Sequence, residues 1–368
     1  MTQQSLDDKY MLMALRLAAK AQGRTSPNPM VGAVVVREGV VIARGYHRKA
    51  GEPHAEAIAL AKAGEAARGA TLYVTLEPCT HTGKRTPPCA PQVVQSGVAR
   101  AVIAMTDPNP KVAGGGVKAL QGAGIEVSTG VLEAEAKKLN EAYAKHILKG
   151  MPFVTLKIAQ TLDGMIATAS GESKWITGEE ARREAHLLRD GNDAILVGIN
   201  TVLKDDPALT TRVPKGRDPL RVIVDSRLRI PLKAKVLTQS SSAPTIIAAL
   251  ARAPKAKQLA LQRAGIEVII VKEKEGRVDL RDLMKRLGKR EVTSVLIEGG
   301  SEINASALKA GIVDKVVIFV APMLLSGRDS VSSIGGASPA RLSNAVKLRD
   351  MTMRQVGTDL MIEAYVAR

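Results

Sequence analysis

Two short stretches constrain this chain more than anything else in it: Pro53-His54-Ala55-Glu56, and Glu77-Pro78-Cys79 with Pro87-Pro88-Cys89 after it. One imidazole and two thiolates can occupy three corners of a zinc tetrahedron and leave the fourth to water. Water on zinc drops to a pKa of about 7, which makes hydroxide available at neutral pH. Glu56 then moves protons and does not bind metal. Residues i and i+2 of a helix point about 200° apart, so His54 and Glu56 flank one point only at a helix start. Pro53 beside a run of Ala, Ile and Leu marks such a start, and Pro88-Cys89 opens a second apolar run closed by Gly97. The spacing predicts two helix N-termini converging on one metal, their dipoles favouring thiolate and hydroxide.

His-x-Glu followed by Pro-Cys and a second Cys is the signature of zinc-dependent hydrolytic deaminases of nucleobases. On this reading His54, Cys79 and Cys89 are the metal ligands and Glu56 is the catalytic proton carrier. The bland alternative makes the cysteines a disulfide or core residues and His54 a surface histidine. Against it stand only two cysteines in the chain, and a polar, acidic stretch from Met1 to Lys9 that does not resemble a secretory signal. A cytoplasmic compartment, where both thiols stay free for metal, is expected.

A chain of 368 residues exceeds one ordinary core, so two domains are expected. No apolar run approaches the length of a membrane span. Lys and Arg exceed Asp and Glu by 17, which suits nucleic acid or anionic small molecules such as phosphate esters and nucleotide cofactors. A deaminase acting on tRNA or DNA, with a non-catalytic second domain, is the alternative this charge suggests. An aromatic content of 2% supplies too few stacking rings for it, and the positive residues are scattered. A small-molecule substrate and no nucleic-acid or membrane partner are therefore expected.

Along the chain, Ser5-Leu6-Asp7-Asp8 reads as a capping box before a helix with Leu12, Leu15 and Ala19 inward. Strands are expected at 31–36, 40–44, 71–76, 101–105 and 125–128, with one closing helix over 133–148. Gly150-Met151-Pro152 breaks the pattern and sets the boundary between domains 1–150 and 151–368. Beyond it, strands near 153–158, 194–197, 220–224, 245–249, 267–271, 294–297 and 315–320 alternate with helices near 179–189, 280–287 and 303–310. That is α/β alternation on a largely parallel sheet.

The second half has no cysteine, and its only histidine, His186, reads as a helix-surface residue. Polar residues gather where its strands end: Lys157, Asp163-Gly164, Ser173-Lys174-Trp175, Asp205-Asp206-Pro207 with Arg212, and Asp225-Ser226. Glu298-Gly299-Gly300-Ser301 follows a strand and opens a helix, so its amides can receive a phosphate. Phosphate-compatible loops without a nucleophile suggest that a cofactor supplies the reactivity.

The whole chain resembles the bifunctional riboflavin-biosynthesis deaminase–reductases. The first half does so through Asn28-Pro29, Gly45-Tyr46-His47, Gly51-Glu52-Pro53-His54-Ala55-Glu56, Thr86-Pro87-Pro88-Cys89 and Asp107-Pro108-Asn109-Pro110. The second does so through Leu162-Asp163-Gly164, Ser170 to Thr177, Asp205-Asp206-Pro207-Ala208-Leu209-Thr210 and Glu298-Gly299-Gly300. The resemblance implies a cytidine-deaminase-like three-layer αβα domain followed by a dihydrofolate-reductase-like α/β domain. It implies that a diamino-ribosylamino-pyrimidinone 5′-phosphate loses an amino group as ammonia, after which NADPH reduces the ribose to a ribityl chain. One zinc and NADPH are the implied cofactors, and a homo-oligomer is the implied assembly.

Carried over residue by residue, the resemblance puts deaminase substrate on Asn28, His47, His81 and Lys84 or Arg85. The loop carrying the last two is one residue longer than the family's usual form. Reductase substrate falls on Ser173, Arg189, Leu209, Arg212 and Glu298, with Arg189 and Arg212 as phosphate clamps. NADPH falls on Ala159, Trp175, Thr201, Asp205, Ser226, Gly300, Ser301, Glu302, Ile303, Asn304, Ala305 and Ser306.

Overall fold

The computed structural model describes residues 2–80, 87–110 and 112–367. They divide into two units, Met1–Gly150 and Met151–Arg368. The first runs α1 (Gln3–Ala19), β1 (Gly32–Arg37), β2 (Val40–Tyr46), α2 (Ala55–Ala63), β3 (Thr71–Val74), α3 (Cys89–Gln95) and β4 (Arg100–Ile103). It continues through α4 (Gly115–Gly122), β5 (Glu126–Thr129), α5 (Glu133–Leu139) and α6 (Glu141–Lys149). The strand order is β2-β1-β3-β4-β5, with β1 antiparallel to both neighbours and β3, β4 and β5 parallel.

Two glycines show how helices cover both faces of this sheet. A Cβ on Gly32 would sit 2.0 Å from the Ala14 carbonyl of α1, and one on Gly45 2.4 Å from the Ala55 carbonyl of α2. Gly45 pairs with Ala33, the neighbour of Gly32, so the two glycines face opposite sides. The result is a three-layer αβα sandwich.

The first helix begins earlier than the capping pattern suggested. Thr2 is the cap, accepting from the Ser5 amide, and the inward face is Asp7, Tyr10, Met11, Ala14, Leu15 and Ala18. Leu12 and Ala19 are exposed, one position off that stripe. The expected single closing helix is two, broken at buried Asn140. Its side chain accepts from the Met30 amide at 2.8 Å and donates to the Met30 carbonyl at 3.0 Å, a tertiary demand that overrides helix continuity.

The second unit starts with β6 (Phe153–Thr161), β7 (Met165–Ala167), α7 (Glu179–Gly191), β8 (Ala194–Gly198), α8 (Ile199–Asp205) and β9 (Leu220–Val224). Then come α9 (Lys235–Thr238), β10 (Thr245–Ala249), α10 (Lys255–Arg263), β11 (Glu267–Ile270), a hairpin of β12 (Glu273–Lys274) and β13 (Arg277–Val278), and α11 (Leu280–Gly288). It ends with β14 (Ser294–Ile297), α12 (Ser301–Lys309), β15 (Lys315–Ala321), β16 (Val331–Ser332), β17 (Leu348–Val356) and β18 (Asp359–Val366).

Nine of these strands form one sheet, ordered β11-β10-β9-β8-β14-β6-β15-β18-β17, parallel from β11 to β15 and antiparallel at its C-terminal hairpin. Alternation along the strands splits the core in two. Ala194, Leu196, Val222 and Ala248 pack with Leu283, Leu287 and Ala307 of α11 and α12. Ile195, Val197, Ile223 and Ile247 pack on the other face with Val202, Val236 and Leu261 of α8, α9 and α10. Both faces are covered, so the C-terminal ends of the parallel strands are where a ligand can enter. Among the described residues, no helix is long and apolar enough to cross a membrane.

Candidate active sites

In the first unit, His54 is the N-cap of α2 and Cys89 is the first residue of α3. The Cys79 carbonyl accepts from the amides of both Cys89 and Ala90 at 3.0 Å, which fixes one cysteine against the helix that carries the other. His54 Nδ1 lies 3.1 Å from Cys89 Sγ and 3.7 Å from Cys79 Sγ, and the three donor atoms lie within 4.8 Å of one another. Neither cysteine is in a disulfide. One imidazole and two thiols converging this closely match the donor set of a zinc site with an open position.

A hydrogen bond from Cys89 holds the Cys79 thiol down, to about 4, while that same bond to Cys79, with burial, pushes Cys89 up. Glu56 is buried in the first turn of α2, where burial raises its carboxyl to about 7, and the Cys89 thiol donates to it. The fold therefore places a buried carboxyl beside the His54, Cys79 and Cys89 cluster.

Asn28 and His47 are brought together. Asn28 Nδ2 lies 3.1 Å from His47 Nε2, while His47 Nδ1 is 3.2 Å from the Pro53 carbonyl. The His47 ring stands edge-on to His54 at 5.3 Å, and burial keeps its pKa low. His81, Lys84 and Arg85 lie outside the described residues.

Glu77 was quoted in the sequence only as part of a motif, yet it anchors this site. Its oxygens accept from four backbone amides, those of Asp107, Gly114, Gly116 and Val117, at 2.8–3.1 Å. A carboxylate so bonded pins the end of β3, and with it Pro78 and Cys79, to the loop after β4 and the start of α4.

The second unit holds a cavity of about 1070 Å³ at the C-terminal ends of β8, β9 and β14. Of the sequence-derived residues, Ser173, Thr201, Asp205, Ser226, Gly300, Ser301, Glu302, Ile303 and Ser306 line it. Gly300 caps α12, so the start of that helix faces the cavity. At Gly299 a Cβ would come 1.7 Å from Ile303, which explains the glycine pair by close packing of loop on helix. Asp225, fully buried, keeps Oδ1 without a partner at the cavity wall, and exposed Arg227 lines it with no partner among the described residues. The volume, the helix start, the orphaned carboxylate oxygen and the unpaired guanidinium fit a phosphorylated dinucleotide. Arg227, Arg229 and Arg277 went unremarked in the sequence; only the place of Arg227, directly after Asp225-Ser226 at a strand end, marked one of them.

Ala159, Trp175, Asn304 and Ala305 are not among the lining residues. Asn304 donates to the Ser333 carbonyl at 2.9 Å and is buried, and Trp175 is exposed with the Arg182 guanidinium 4.6 Å over its ring.

Beside the same strand ends, Arg189 and Glu298 form a partly buried bidentate pair at 2.7 and 2.9 Å, with Lys157 Nζ 3.7 Å from the same carboxylate. Burial alone would raise Glu298, but Arg189 and Lys157 bring it down to about 2. Arg189 Nη1 donates to the Thr210 carbonyl at 2.9 Å. Its fork is thus already occupied by a carboxylate, whereas Arg212 is exposed with no partner among the described residues. Leu209 is buried at φ 56° in the loop between them.

Comparison with known proteins accounts for both halves. A model of the cytidine and deoxycytidylate deaminase zinc-binding region matches residues 4–105, and one of the RibD C-terminal domain matches residues 152–362. The riboflavin biosynthesis protein RibD of Aquifex aeolicus is 48% identical over 358 residues, covering 97% of this chain and 98% of the relative. The chain belongs to the RibD family. Among solved structures, Acinetobacter baumannii RibD matches with a TM-score of 0.88 at 37% identity, each chain covered completely. A Thermotoga maritima structure titled a diaminohydroxyphosphoribosylaminopyrimidine deaminase/5-amino-6-(5-phosphoribosylamino)uracil reductase matches with a TM-score of 0.88 at 36% identity, again over all of both chains. As a RibD-family enzyme, this chain joins a zinc-dependent deaminase domain to an NADPH-dependent reductase domain of riboflavin biosynthesis.

Proposed function

We propose that the chain carries out two consecutive steps on one phosphorylated pyrimidine, each in its own unit. The observation that carries this is the His54–Cys79–Cys89 cluster beside buried Glu56 in one unit, paired with a dinucleotide-sized cavity in the other. Zinc held by those three residues supplies an activated water. Glu56 passes protons toward the departing amino nitrogen, which leaves the ring as ammonia. Asn28 and His47, locked to each other and to Pro53, position the pyrimidine.

In the second unit NADPH supplies hydride, and the chain's residues bind and orient. The start of α12 receives cofactor phosphate, Arg227 meets the additional phosphate that distinguishes NADPH from NADH, and Arg212 meets the substrate's 5′-phosphate. The Arg189–Glu298–Lys157 cluster frames the floor where the ribose is reduced. Both cysteines are unpaired and serve the metal, which suits a cytoplasmic enzyme. A homo-oligomer is supported by β17, an edge strand that exposes Leu348, Met351 and Met353; light scattering that returns the mass of one chain would contradict it.

The test follows ammonia release and NADPH oxidation separately. Wild type releases one ammonia per NADPH oxidised. Arg227→Ala leaves ammonia release unchanged and weakens NADPH binding about tenfold while NADH binding stays put, read as Kd by isothermal titration calorimetry. Equal loss for both nucleotides would remove Arg227 from this role, and ammonia release without any NADPH oxidation would refute the two-step reading.

A further inference from the structure

We propose that Asp163 is a positioning residue for the cofactor: its carboxylate fastens the segment that forms one wall of the reductase cavity, without lining that cavity itself. The inference rests on the reading above that this cavity holds NADPH. Residues 322–347 connect β15 to β17 with little regular structure, and connections of that length are commonly functional. Four of them, Ser330, Val331, Ser332 and Gly335, line the cavity. Neither Asp163 nor Asn304 is among the lining residues, yet both hold this segment in place.

Asp163 sits in the turn between β6 and β7. Its Oδ2 accepts from the Ser326 amide at 2.7 Å, and its Oδ1 accepts from the Leu325 amide at 3.3 Å and the Thr161 hydroxyl at 2.5 Å. Thr161 Oγ1 in turn accepts at 2.9 Å from the amide of Met165, the first residue of β7. One carboxylate therefore joins the start of β7, whose Ile166 and Ala167 line the cavity, to the chain that leads into β16. Ser326 has a φ of 52°, which a residue other than glycine keeps only where its surroundings enforce it. The charge-assisted bond to Asp163 supplies that constraint.

The far end of the segment is fixed separately. Val331 and Ser332 pair with Ala167 and Met165, and the Ser333 amide donates to the Gly164 carbonyl at 2.9 Å. The Ser333 carbonyl accepts from buried Asn304 Nδ2, also at 2.9 Å. The Gly335 amide donates to the Ser301 carbonyl at 3.2 Å, and a Cβ on Gly335 would lie 2.6 Å from Ser301 Oγ, so a glycine lets the segment lie on the first turn of α12. The segment thus ties β7 to the helix start that receives cofactor phosphate, and Asp163 fixes where it begins. Without that carboxylate the cofactor has to order its own wall, and it binds more weakly by the fraction of molecules in which the wall is already in place.

The experiment measures Kd for NADPH and NADH by isothermal titration calorimetry on the zinc-loaded full chain, together with amide hydrogen exchange over residues 323–336. Asp163→Ala is expected to raise both Kd values about tenfold, with kcat at saturating NADPH within about twofold and the melting temperature close to that of wild type. Exchange at Leu325 and Ser326 rises in the free variant and returns to the wild-type level once NADPH is bound. Asp163→Asn keeps one oxygen for the Ser326 amide and binds within about threefold of wild type. Asn304→Asp turns the donor facing the Ser333 carbonyl into an acceptor and weakens both nucleotides alike. A loss confined to NADPH, or a lowered melting temperature with both Kd values unmoved, would overturn the positioning role. Wild type that binds neither nucleotide would overturn the cofactor reading of the cavity along with it.

Discussion

Glu56→Ala is expected to lower ammonia release by about three orders of magnitude while NADPH oxidation on the deaminated substrate stays within about twofold of wild type. The loss is large because Glu56 is the carboxyl buried against the cysteine pair, whereas Glu77, close in sequence to Cys79, has both oxygens committed to four backbone amides. The selectivity follows from the separate units, since Glu56 packs in the first and the cavity lies wholly in the second. Metal content is the control, because Glu56 is not a ligand and its removal leaves bound zinc unchanged. Retained ammonia release in a zinc-loaded variant would take the proton-carrier role away from Glu56.

Glu298→Leu is expected to destabilise the reductase unit by about 3 kcal/mol, because it leaves the largely buried Arg189 and Lys157 charges without their carboxylate. In a thermal melt that corresponds to a fall of about 10 °C for a unit of this size. The pH dependence has a defined sign. Folding holds Glu298 at about 2, below the roughly 4.3 of an unfolded glutamate, so its contribution is complete above that unfolded value. It fades as pH falls from about 4.3 to about 2, and the gap between wild type and variant narrows over that window. A gap that stays constant through the window would show that packing, not charge, accounts for the loss.

Much of the deaminase half was legible in the sequence because its chemistry is local. The spacing of His54 and Glu56 permits only a helix start, and Cys89 directly after a proline permits only another, so both N-termini were written in short patterns. The parallel strands were equally readable as apolar runs: those at 220–224, 245–249 and 294–297 fall at the residues where β9, β10 and β14 form. What resisted reading depends on distant partners. Met30 breaks the helix at Asn140, Thr2 moves the start of α1, and Arg189 meets Glu298 only after folding. His186 reads as a helix-surface residue and is half-buried on α7. The β17 strand carries no inward-outward alternation to announce it, since all its residues but Val356 are exposed.

Metal analysis of protein purified without added zinc tests the central claim most directly. Wild type should carry about one zinc per chain, and Cys79→Ser and Cys89→Ser should each lose the metal together with ammonia release while NADPH oxidation persists. Full ammonia release from protein stripped of zinc would contradict it.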